Sequence, residues 1–99
     1  MSVLVTMKVS GDTEQFRQVM ETQPDRISGL AEQARAEGCI HHQFAVGDGF
    51  VVVVDEWETA EAFQAFITSD AIAAVMGDMG AQGEPEITIA EAIDSPDRF

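Results

Sequence analysis

At 99 residues the chain is expected to form one domain over residues 1–99, with a core small enough that association would help it. Apolar residues make up 45% and charged residues 23%, an ordinary globular balance, and the net charge of -13 excludes nucleic acid and anionic membrane surfaces as natural partners because both call for a basic footprint. Cys39 is the single cysteine, so an intramolecular disulfide or a cysteine-based zinc site is excluded; with no basic leader and no apolar run of about 18 residues, a cytoplasmic setting without membrane insertion is expected.

Val3–Val9 reads as a first strand, closed by Gly11, and Asp12 with Gln15 three residues later has the pattern of a helix-opening capping box. Phe16, Val19 and Met20 then share one helical face. Pro24 interrupts, and its best place is the first turn of a second helical segment whose Ile27, Leu30, Ala31 and Ala34 resume the stripe. Gly38 closes that segment, and Cys39–Val46 is a second strand. Gly47-Asp48-Gly49 leads as a hairpin turn into Phe50–Trp57, a third strand apolar on both faces until it ends in two carboxylates and an indole.

Thr59 caps a short helix with Ala62, Phe63, Phe66 and Ile67 in a stripe, and Ser69 or Asp70 starts another bearing Ile72, Val75, Met76 and Met79. Gly80 and Gly83 break it. Pro85 precedes a last strand, Glu86–Ala92, and residues 94–99 form a polar tail. The order strand, helix, strand, strand, helix, strand defines an α+β, ferredoxin-like βαββαβ fold, a four-stranded antiparallel sheet with the helices on one face. The doubly apolar third strand requires cover on the other face as well, from Phe50, Val52 and Val54 outward. A second copy of the chain is the economical cover, which makes the expected assembly a homodimer joined through its sheet faces, a dimeric α/β barrel.

Gly38-Cys39-Ile40, the Asp55-Glu56-Trp57 strand end and the helix start Thr59–Phe63 resemble the antibiotic biosynthesis monooxygenase family of the dimeric α/β barrels. The resemblance implies a homodimer with one pocket per subunit between sheet and helices, and oxygenation of small aromatic or quinol-type compounds with no metal or flavin cofactor. Relatives commonly carry a His in the helix after the Trp, where this chain has Phe66. That departure speaks against heme handling.

The residues themselves offer a minimal site for such chemistry: a base, a dry pocket and aromatic walls. Asp55 and Trp57 share a strand face with Val51 and Val53. A three-residue loop at the hairpin puts His41 opposite Asp55, whereas a two-residue Asp48-Gly49 turn puts His42 there; both histidines are therefore candidate proton acceptors, with Asp55 as orienter. Trp57, Phe63, Phe66 and Met76 are candidate walls for an apolar or aromatic ligand, and all four also serve plain core packing. Adjacent histidines point to opposite faces, so no metal site is expected from them. The alternative function is a non-catalytic small-molecule-binding or stress-related homodimer using the same pocket.

Overall fold

The computed structural model describes residues 1–99. Four strands, β1 (Val3–Ser10), β2 (Cys39–Val46), β3 (Phe50–Trp57) and β4 (Glu86–Glu91), form one antiparallel sheet in the order β2-β3-β1-β4. Each crossover carries a pair of helices: α1 (Thr13–Thr22) and α2 (Pro24–Ala36) between β1 and β2, and α3 (Ala60–Ile67) and α4 (Asp70–Asp78) between β3 and β4. This is the ferredoxin-like α+β plan expected from the pattern.

Local chemistry sets the element ends. Asp12 Oδ1 accepts from the N–H groups of Glu14 and Gln15, Thr59 from that of Ala62 and Ser69 from that of Ile72, which satisfies donors that a helix start leaves unpaired. Only half of the capping box at Asp12 forms. The Gln15 amide reaches across to the carbonyl of Asp78 instead, and the Asp12 N–H donates to the carbonyl of Gly80, so both groups tie α1 to the end of α4. Pro24 opens α2 as expected, where its missing N–H costs nothing.

One face of the sheet is covered and the other is not. Val5 and Met7 of β1 and Val53, Asp55 and Trp57 of β3 are all buried beneath the helices, joined by Phe16, Val19, Ala34, Phe63, Ile72 and Val75 from the helices themselves. The opposite face leaves Leu4 and Val54 exposed at 50% and 42%, and only 12 of the 99 residues are buried, as befits a sheet covered on one side. That bare face is more mixed than a purely apolar patch: Val54 lies between Thr6 and Gln43, and Val52 between Lys8 and Ala45.

Candidate functional site

Hairpin geometry decides which histidine meets the carboxylate. The Gly47 N–H donates to the Phe50 carbonyl, and Asp48-Gly49 forms a two-residue turn with Gly49 at φ +80°, a conformation that glycine adopts without strain. The resulting register pairs His42 with Asp55 and His41 with Glu56. His41 therefore sits on the bare face, away from the other candidate residues. A β-bulge between Cys39 and His41 makes Ile40 the extra residue, which turns Cys39 and His42, three positions apart, onto the same covered face.

Three side chains form a hydrogen-bonded line on that face. The Trp57 indole Nε1–H donates to Asp55 Oδ2 at 3.0 Å, and Asp55 Oδ1 lies 2.7 Å from His42 Nδ1. A carboxylate only accepts, so the hydrogen-bond network assigns the shared proton to Nδ1, and no side chain or backbone group of the chain bonds to Nε2. Trp57 has no exposed surface, Asp55 is 6% exposed, and the His42 side chain is about one third exposed, so the line runs from the core outward. The His42 ring meets Phe44 edge-on at 4.7 Å, and Phe44 in turn meets Phe16 at 5.2 Å, which fixes the imidazole laterally.

A chamber of about 100 Å³ lies between the sheet and α2, α3 and α4. His42, Asp55, Trp57, Phe63, Phe66 and Met76 all border it, so the covered-face candidates come together. Fifteen of its 17 lining residues are hydrophobic, and His42 and Asp55 are the two polar ones; no Lys or Arg contributes. Trp57 packs between Phe63, at 5.8 Å, and Phe66, at 5.3 Å, and with no surface open it closes the wall from behind rather than offering a ring face.

Phe44, Ile27 and Leu30 also line the chamber, as does Met79 beside Met76. Phe44 is two residues from His42 on the same strand, and the hairpin register that aims these two inward is what the sequence leaves open; Ile27 and Leu30 belong to the apolar stripe that the spacing of α2 shows. Met20, of the apolar face of α1, lies outside the chamber along an open groove. Cys39 is buried, with its Sγ donating to the His41 carbonyl, and burial together with the negative charge of Asp55 pushes its thiol up to about 11. It stays protonated and unreactive at neutral pH. No group of three or more His, Cys, Asp or Glu side chains is arranged to hold a metal ion.

An antiparallel four-stranded sheet with paired helical crossovers over an apolar, carboxylate-and-imidazole chamber places the chain among the ferredoxin-like α+β proteins. The family model of the antibiotic biosynthesis monooxygenases matches residues 2–77, and the chain belongs to that family. Its fold is similar to that of an antibiotic biosynthesis monooxygenase at 15% identity over 93% of this chain and 99% of that one, with a TM-score of 0.65. A Deinococcus radiodurans protein proposed to be an antibiotic biosynthesis monooxygenase aligns over 98% of both chains at 14% identity and a TM-score of 0.67. A conserved protein from Methanosarcina mazei Go1 aligns over 90% of each chain at 20% identity and a TM-score of 0.65. No curated protein matches the chain. No helix is long and apolar enough to cross a membrane.

Proposed function

We propose that the protein is a monooxygenase-like homodimer whose chamber holds a small aromatic or quinol-type compound. The observation that carries this reading is the Trp57–Asp55–His42 line, which ends in an imidazole bordering an otherwise apolar chamber. His42 Nε2 takes a phenolic proton, Asp55 holds the imidazole in the tautomer that can do so, and Phe63, Phe66 and Met76 flank the ring. The electron-rich anion so formed reacts with dioxygen; one oxygen atom enters the ring, the other leaves as water, and the substrate supplies the electrons. A chamber this size favours a single ring over a fused system. Membership of the family and the exposed apolar residues of the bare face support the homodimer.

Oxygen uptake with hydroquinone in metal-free protein tests the assignment. His42→Ala is expected to lower the rate about 100-fold or more, while His41→Ala retains it. An unchanged rate in His42→Ala would overturn the choice of base. The complete burial of Trp57, and a carboxylate whose two oxygens are both already satisfied, also suit a binding site without turnover. On that second reading hydroquinone raises the melting temperature and consumes no oxygen.

A further inference from the structure

A second cavity, of about 50 Å³, lies at the far end of the same sheet face, bordered by Val9, Gly11, Val51, Gly80 and Ala81. Met7, Met76 and Met79 line both this cavity and the main chamber, so the partition between the two contains three thioether side chains. Methionine is the apolar side chain that most readily changes shape, having three rotatable bonds and no branch. The two spaces also follow one another along the strands: Val53 borders the chamber and Val51 the second cavity, a step of about 7 Å along β3.

The far wall is of another kind. The Asp12 N–H donates to the Gly80 carbonyl, Gly11 and Ala81 form a bridge, and a Cβ on Gly11 would lie within 2.2 Å of the Gly80 oxygen. Backbone packed that closely has no room to give, whereas an unbranched thioether side chain has other rotamers open to it. The second cavity is lined by no Lys or Arg, and its one charged residue is Asp12, already engaged in capping α1. An acidic group is therefore unwelcome there, and a chain of methylenes is not.

We propose that the ligand is an aromatic ring bearing one short, unbranched, uncharged apolar chain, with the ring beside His42 and the chain threaded past Met7, Met76 and Met79 into the second cavity. This rests on the reading of the chamber as a site for a hydroxylated ring. The partition then acts as the specificity element, admitting a linear substituent and refusing a branched or anionic one.

Anaerobic calorimetric titration with hydroquinone and its methyl, propyl, pentyl and tert-butyl derivatives tests the proposal. Affinity is expected to rise roughly fourfold per methylene along the linear series, and the tert-butyl compound to gain nothing over methyl. Val51→Phe and Ala81→Leu each fill the second cavity from positions that do not line the chamber; in either variant hydroquinone still binds and the gain with chain length disappears. Binding of hydroquinone with no gain along the series in the native protein, or a gain that persists in both variants, overturns the threaded chain and leaves the chamber reading standing. Failure of every hydroquinone to bind overturns both.

Discussion

The two faces of the sheet carry the same pair of residue types one position apart: His42 and Asp55 on the covered face, His41 and Glu56 on the bare one. Their surroundings differ in every other respect. Asp55 is buried, with an indole and an imidazole on its two oxygens, whereas Glu56 is partly buried and accepts from the hydroxyl of Ser2, just before β1. Residue type alone thus says little about chemistry. What makes one pair a candidate site is desolvation together with a fixed donor on each oxygen, and the other pair is its built-in control.

Removing each carboxylate gives the largest expected contrast. Asp55→Ala leaves a buried indole N–H without an acceptor and frees the His42 ring, and should cost about 3 kcal/mol in urea unfolding. Glu56→Ala loses only a peripheral hydroxyl contact and should stay within about 1 kcal/mol. Equal losses at the two positions would mean that the covered face confers nothing special on its carboxylate.

Much of this contrast is legible in the chain. Alternation along Phe50–Trp57 places Val53, Asp55 and Trp57 together, and the cap residues Asp12, Thr59 and Ser69 all act where their spacing to the apolar stripes puts them. The choice between His41 and His42 is not legible, because both turns suit Gly47-Asp48-Gly49 and a slip of one residue exchanges the faces. Nor is the bulge at Ile40, which depends on how two strands meet rather than on either one's pattern. Gln15 shows the same limit: its spacing from Asp12 is that of a capping box, but the Asp12 N–H it would accept from goes to the Gly80 carbonyl, and its own amide donates to the carbonyl of Asp78. For Trp57 the sequence marks an aromatic at a strand end; only packing by Phe63 and Phe66 removes its ring from reach.

A smaller effect comes from the thiol beside this carboxylate. Burial, then the charge of Asp55, raises Cys39 from 9.0 to about 11, so the folded state keeps a proton that the unfolded chain gives up in that interval. The associated stability is complete below pH 9 and is lost as pH rises through 11, about 2 kcal/mol of it by pH 11. Unfolding measured from pH 8 to 11 should show this fall in the native protein and not in Cys39→Ala. Asp55→Asn should reduce it in part, since the charge is the second cause. A fall of the same size in Cys39→Ala would assign the alkaline loss to other groups.

The smallest effect probes the bare face. Lys8 holds its ammonium 4.5 Å from the centre of the Phe50 ring and stands between Val52 and Glu86 in the register, in contact with water. An exposed cation–π contact of this kind is worth about 0.5 to 1 kcal/mol, so Lys8→Met, which keeps the apolar stem, should lower the unfolding free energy of a dilute, monomeric sample by less than 1 kcal/mol. Association responds differently. If two copies close over this face, the ammonium is taken out of water with only a ring and one strand-end carboxylate near it, a cost that the substitution removes. Sedimentation equilibrium should therefore show tighter self-association in Lys8→Met than in the native chain. An unchanged association constant would place the contact between copies elsewhere and leave the contrast between the faces as one of burial within a single subunit.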